Sequence, residues 1–211
     1  MDDGIDRPLL LHQSMTALPP LTAIGTVISP YKEKFGTPRQ PGLVNATIGR
    51  IQLRDDLNPD AFEGLADYSH VWILFYFHSN HRDGRTDHSV KTKVHPPRLG
   101  GKAIGVFATR SPHRPNPIGL SLVEVVGVEG RELVVRGIDM IDGTPVLDIK
   151  PYMPTIEAKP DAKEGWSATV PERTVTCTWE PQALADLTIQ FGQAQDTAKA
   201  AIEAILSLDP R

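Results

Sequence analysis

"IGLSLVEVVGVEGRELVVRGIDM", residues 118–140, sets two β-rich runs on either side of Glu129-Gly130. A turn dipeptide between two strand-like runs marks a β-hairpin. In the first run Ile118, Leu120, Leu122, Val126 and Val128 share one face, with Glu124 interrupting it. At the period of two that governs strands, this face is the one expected to meet the core. Outward from the hairpin, "LTAIGTVIS" (21–29), "LVNATIGRIQL" (43–53), "AIGVFAT" (103–109) and "PVLDIKPY" (145–152) read as further strands. "HVWILFYFH" (70–78) is continuously apolar, which predicts a strand buried on both faces. "NPDAFEGLADY" (58–68) predicts a short helix, with Asn58 as N-cap and Pro59 in the first helical position. About five to seven strands with scarcely a helix between them predict a mainly β chain closed into an antiparallel β-barrel.

Composition bounds the rest. The 211 residues, 40% hydrophobic and 23% charged, suit one main globular domain with a small addition. Residues 1–20 read as a leader ending at Pro19-Pro20, residues 21–155 as the barrel, and residues 156–211 as a small α-containing appendage. In that appendage "PQALADLTIQF" and "QDTAKAAIEAILSL" carry helical periodicity, and Ala198, Ala201, Ile202 and Ile205 fall on one face. The single cysteine, Cys177, excludes an internal disulfide and a Cys-type zinc site. No apolar run reaches the roughly 18 residues of a membrane span. The N-terminus is acidic where a signal peptide would be basic, so a cytoplasmic protein without a membrane partner is expected.

Net charge is −4, yet no acidic residue lies between Asp87 and Glu124. That interval holds Lys91, Lys93, Arg98, Lys102, Arg110 and Arg114. A local basic surface on an acidic chain is the footprint of a phosphate-rich partner. Three proline-stiffened loops stand out. "FGTPRQPG" (35–42) fixes Arg39 and Gln40 between prolines, "TRSPHRPNPIG" (109–119) does the same for Arg110, Arg114 and Asn116, and "DMIDGTPVLDIKPY" (139–152) supplies Asp139, Asp142 and Asp148. Fixed φ angles lower the ordering cost of binding. Amide, guanidinium and carboxylate groups on rigid loops fit an adenosine-type ligand. No GxGxxG follows a predicted strand and no GxxxxGK[ST] occurs, so neither a Rossmann nor a P-loop site is indicated. The histidines from 70 to 95 form no HExxH pair, and no metal is expected.

Together "SPYKEKFGTPRQPGL", "DYSHVWILFYFH", "PPRLGG", "GVFATRSPHRPNPIGLSLVE" and "DGTPVLDIKPY" resemble the TsaA-like β-barrel family over about residues 21–154, and "AILSLDPR" resembles its C-terminal helix. Many bacterial members of that family continue beyond this point. The resemblance implies a tRNA methyltransferase that uses S-adenosylmethionine to methylate N6 of threonylcarbamoyladenosine at position 37, beside the anticodon. It implies an antiparallel barrel in place of the Rossmann fold, and a homodimer with the cofactor near the subunit interface. By motif, the cofactor residues would be Pro38, Arg39, Gln40, His78, Ser79, Arg110, Leu120, Asp142, Gly143, Thr144 and Pro145.

Methyl transfer to an exocyclic purine nitrogen needs in-line alignment and an acceptor for the N–H proton. Asp139 and Asp148 are the candidate catalytic carboxylates, and ribose binding or structural hydrogen bonding is the competing role. Lys91, Lys93, Arg98, Lys102 and Arg114 are assigned to tRNA. Two other functions share some of these features: a non-catalytic RNA-binding β-barrel and a metal-dependent hydrolase.

Overall fold

Strand alternation decides the architecture. The computed structural model describes residues 19–81, 92–169 and 175–208. Among them, β1 (Gly25–Ile28), β2 (Ile48–Leu53), β3 (His70–Tyr76), β6 (Ile118–Glu129), β7 (Glu132–Arg136) and β8 (Pro145–Pro151) close into an antiparallel barrel. Neighbours run in the order β1-β2-β7-β6-β3-β8. The connection from β3 to β6 carries a separate two-stranded sheet, β4 (Lys93–Val94) and β5 (Ile104–Gly105). Every second residue of β1, β2 and β3 points inward. Val27, Ile51, Val71, Ile73, Val123, Leu133, Val135, Ile138 and Val146 form the buried centre, each exposed by 1% or less. Burial of each such aliphatic side chain contributes on the order of 1.5–3 kcal/mol.

The hairpin at Glu129-Gly130 forms as expected, pairing Glu129 with Glu132. Like charges directly opposite repel. Arg50 on β2 answers both, with its guanidinium 2.6 Å from each carboxylate.

Over residues 118–125 the face is the reverse of the sequence expectation; a bulge between Val125 and Gly127 then shifts the phase, and Val128 packs against the core as expected. Gly119, Ser121 and Val123 point inward, while Ile118, Leu120 and Val126 are exposed. The reason is space. A Cβ on Gly119 would stand 2.2 Å from the Phe75 ring, so the inward position opposite Phe75 excludes any side chain. Ser121, next on that face, spends its hydroxyl on Asp139. The apolar residues are left to the outer surface. "HVWILFYFH" is buried on one face only, because a barrel strand turns alternate residues inward and outward: Val71, Ile73 and Phe75 are buried, and Trp72, Leu74 and Tyr76 half-buried.

Two further elements differ. "AIGVFAT" is not a barrel strand; only Ile104–Gly105 pairs, with β4, and Val106–Ala108 turns as a 3-10 helix. The predicted helix at 58–68 is two 3-10 turns, Pro59–Phe62 and Leu65–Asp67. Its start is as predicted: Asn58 accepts from the Asp60 backbone N–H at 3.1 Å.

Beyond the barrel lie α1 (Pro154–Glu157), α2 (Pro181–Phe191) and α3 (Gln195–Ser207). Ala198, Ala201, Ile202 and Ile205 of α3 are half-buried, and Ile205 packs against the barrel core. Residues 1–18 of the expected leader lie outside the described residues.

Because the Phe75 ring fills the place of a Gly119 side chain, Gly119→Ala should lower stability by about 1–3 kcal/mol, the usual cost of overpacking. Urea unfolding would measure it, and an unchanged midpoint would show that the ring moves aside freely.

Candidate active site

The strand register gathers the polar loops at one end of the barrel. Ile28 pairs with Arg50, Ile48 with Arg136, Tyr76 with Ile118, and Pro145 with Thr26. The ends of β1, β3 and β7 and the starts of β2, β6 and β8 therefore share that end. Every proline-rich segment singled out in the sequence connects strands there.

Each loop is braced by its own hydrogen bonds. In the first, the Ser29 hydroxyl donates to the Met140 carbonyl at 2.9 Å and accepts from the Tyr31 N–H at 3.1 Å. The buried Tyr31 hydroxyl donates to Thr47 Oγ1 at 2.8 Å. Thr37 donates to the Glu33 carbonyl at 2.5 Å, and Gly42 N–H to the Gly137 carbonyl at 2.8 Å. Pro38 is buried and presents the exposed Arg39. In the second loop Thr109 donates to the Val106 carbonyl at 2.8 Å, and the Arg114 guanidinium donates to the Thr109 carbonyl at 3.2 Å. The Arg110 guanidinium crosses to the Gln40 amide oxygen and joins the two loops.

The third loop is sewn to β1. Asp142 N–H donates to the Tyr31 carbonyl at 2.7 Å and Gly143 N–H to the Val27 carbonyl at 2.9 Å. The Asp142 carboxylate accepts from Ser29 N–H at 3.0 Å and from the Lys32 ammonium at 2.7 Å. These partners hold its pKa below the usual carboxylate value. Thr144 is buried, and its hydroxyl donates to the Ile141 carbonyl at 2.6 Å. Gly143 takes a φ of 77°, and nothing lies within 4 Å of where a Cβ would be.

Asp139 sits just inside these loops. The residue keeps some exposure, but its carboxyl is enclosed, and desolvation pushes its pKa up to about 6. The Ser121 hydroxyl donates to it at 2.7 Å, and the Arg110 charge acts on it; both work against the rise. A carboxyl near neutrality at a loop cluster is a proton acceptor matched to working pH. Asp148 is on the other side of the sheet. Its partner is Leu74 on the outward face, and its carboxylate meets the Lys150 ammonium at 3.0 Å.

Of the remaining sequence candidates, His78 and Ser79 follow the end of β3, and Ser79 is buried. The Ser79 hydroxyl has no hydrogen-bond partner among the described residues. Leu120 lies on the outer face of β6, 52% exposed, across from Leu74. Lys93 and Lys102 are exposed on and beside the small sheet, and Arg98 lies in the 3-10 turn Pro97–Leu99 between its strands. Arg114 is tied to the second loop. Lys91 lies outside the described residues. Sequence reasoning missed Ser121, Lys32 and Tyr31. Ser121 carried no signal in the sequence, since the apolar alternation of its strand set it at the outward phase. Among the described residues no three His, Cys, Asp or Glu side chains gather as a metal site, and no helix is long and apolar enough to cross a membrane.

Residues 26–158 match the family model described as the tRNA-methyltransferase O N-terminal domain. The chain is 45% identical over 196 residues to the tRNA (adenine(37)-N6)-methyltransferase of Escherichia coli K12, covering 89% of this chain and 80% of that one. It is 42% identical over 193 residues to a putative S-adenosylmethionine-dependent methyltransferase RcsF of Pseudomonas aeruginosa, covering 90% and 81%. A crystal structure of TrmO from P. aeruginosa superposes with a TM-score of 0.75 at 38% identity, over 92% of this chain and 82% of that one.

Since the Asp139 pKa of about 6 stands above the ordinary 3.8, the folded state keeps a proton that the unfolded chain releases. Its ionisation therefore costs stability as pH rises from about 4, and the full cost is present above about 6. Asp139→Asn should stabilise the protein at pH 7 by up to about 3 kcal/mol and leave it nearly unchanged at pH 4. Equal effects at both pH values in denaturant unfolding would contradict the raised pKa.

Proposed function

The chain belongs to the tRNA-methyltransferase O N-terminal domain family, and from that premise we propose how its loops carry out S-adenosylmethionine-dependent N6-methylation of adenine 37 in tRNA. The observation that carries the reading is the junction of the first two loops through Arg110 and Gln40, beside the enclosed carboxyl of Asp139. A non-catalytic RNA module needs no carboxyl tuned in this way.

The residues present fit S-adenosylmethionine. The buried Ser79 hydroxyl lacks a partner among the described residues, Gly143 leaves open space at its Cα, and Arg39 presents an exposed guanidinium. Pro38, Arg39, Gln40, His78, Ser79, Arg110, Leu120 and Asp142 to Pro145 would hold it, with a guanidinium suited to the amino-acid carboxylate. When bound, it would supply an electrophilic methyl on a sulfonium, which on transfer to N6 would leave a thioether. The protein's tasks are alignment and deprotonation. The braced loops align the reactants before binding, which lowers the entropic part of the barrier. Asp139, held by Ser121, accepts the N6 proton; Asp148, paired with Lys150 on the outer face, is the weaker candidate of the two.

Lys93, Arg98, Lys102 and Arg114, with Lys91, serve as tRNA phosphate contacts in this reading, and the basic character of that interval supports it. Threonylcarbamoyladenosine is the form of adenine 37 proposed as substrate, as the family resemblance implies. The apolar outer surface of β3 and β6, where Trp72, Leu74, Ile118 and Leu120 meet, supports a homodimer that places Leu120 between subunits. A tRNA substrate makes the cytoplasm the place of work. The domain division at residues 21–155 and 156–211 is kept as part of the proposal.

With labelled S-adenosylmethionine and tRNA bearing threonylcarbamoyladenosine, the protein should transfer one methyl to N6, and the rate should rise as pH passes about 6. Asp139→Asn should cut kcat by roughly 100-fold or more, a usual effect of losing a general base, with cofactor affinity retained. The active species should scatter light at about twice the 23.1 kDa chain mass. No transfer by the wild-type protein would overturn the reading, and an active strict monomer would remove the dimer from it.

Lys93→Ala and Lys102→Ala should each flatten the salt dependence of tRNA binding by nearly one unit of slope, about 0.7–0.9, with cofactor affinity unchanged. Arg39→Ala should weaken cofactor binding and leave that slope intact. A lysine variant with an unaltered slope would take that residue out of the tRNA surface.

A further inference from the structure

The appendage after the barrel touches the first of the loops joined by Arg110 and Gln40 and the 3-10 turn that leads into the second. In the 3-10 turn Gly165–Thr169, the Trp166 indole N–H donates to the Ala108 carbonyl at 2.8 Å. Ala108 is two residues before Arg110, and Val106, in the same 3-10 turn as Ala108, is buried at 2% exposure. At the other contact, Ile205 and Leu208, at the end of α3, line a small crevice with Thr37, Pro38 and Arg39. Pro38 is the buried residue that presents Arg39 and Gln40.

The first loop needs this support. The hydrogen bonds of Thr37 are local, to Lys34 and Glu33, and the next tie to the barrel is at Gly42. Between those points, the sides of Ile205 and Leu208 supply an apolar backing. The helix is itself held in place: Val175 N–H donates to the Ser207 carbonyl at 2.9 Å, and the Trp179 indole N–H to the Glu203 carboxylate at 2.7 Å.

We infer that Trp166, Ile205 and Leu208 are positioning residues for the cofactor site: the appendage is a two-point brace that fixes the Arg39–Gln40 and Arg110 loops in the spacing at which they meet. This rests on the proposed cofactor reading of those loops. The brace acts before ligand arrives, so its loss raises the ordering cost of cofactor binding and leaves the chemistry at Asp139 untouched. The carboxyl of Asp139 is held from the barrel side by Ser121, which the appendage does not contact in any of these interactions.

The test is calorimetric titration of the full chain with S-adenosylmethionine, together with steady-state methylation of tRNA. Trp166→Phe keeps a ring and removes the donor; Ile205→Ala removes the backing of Pro38, with Ile205→Val as the milder form should alanine unfold the helix. Glu157→Ala is the control, since it removes the bond from the Trp72 indole N–H, an appendage-to-barrel tie that touches neither loop nor α3. Trp166→Phe and Ile205→Ala should each weaken cofactor binding about three- to tenfold and raise its KM in step, with kcat within twofold of wild type. Glu157→Ala should bind within twofold of wild type. Wild-type affinity in both brace variants would overturn the inference, as would an equal loss in Glu157→Ala, which would mean general loosening. Absence of binding by the wild-type protein would overturn the cofactor reading itself, and the inference with it.

Discussion

Closure of the barrel rests on a short seam. β1 and β8 pair through only Gly25–Val146 and Thr26–Pro145. The seam is prolonged past the strands by Val27 N–H to the Thr144 carbonyl at 2.9 Å, Gly143 N–H to the Val27 carbonyl, and Asp142 N–H to the Tyr31 carbonyl. The residues that complete the ladder are therefore the ones that form the third loop. Closing the sheet and shaping the site are one act, and a sheet open at this seam would lose the loop with the edge. Lys32 and Ser29 then lock the Asp142 carboxylate across the same junction.

Much of this was legible beforehand, and the failures have physical causes. The hairpin was readable because a turn dipeptide and two β-rich runs agree, and tertiary packing had nothing to overrule. The inward face of residues 118–125 was not, because hydrophobicity names the core only when the core wants volume. Opposite Phe75 it wants emptiness, which Gly119 provides, and beside Asp139 it wants a hydroxyl, which Ser121 provides. The apolar residues displaced to the outside then read as a false core. "AIGVFAT" looked like a barrel strand by composition, yet pairing partners decide strands, and its only strand partner among the described residues is the two-residue β4.

At the site, the prolines gave away the loops, since fixed φ angles are written in the sequence itself. The partners that hold those loops were hidden. Tyr31 with Thr47, Arg110 with Gln40, and Ser121 with Asp139 are 16, 70 and 18 residues apart in the chain, and only the barrel register brings them together. The raised pKa of Asp139 was hidden for the same reason: desolvation is a property of surroundings, and a lone aspartate in sequence carries no sign of it.

The register also gives the molecule a polarity. The Glu129–Glu132 turn, clasped by Arg50, stands at the end of the barrel opposite all three proline-stiffened loops. Surface area there is mechanically remote from the chemistry, separated from it by the whole length of the packed strands. A reporter group or immobilisation tether grafted at Gly130 would thus leave the working mouth of the barrel facing solution, so this hairpin is the natural handle by which to hold the protein while watching it act.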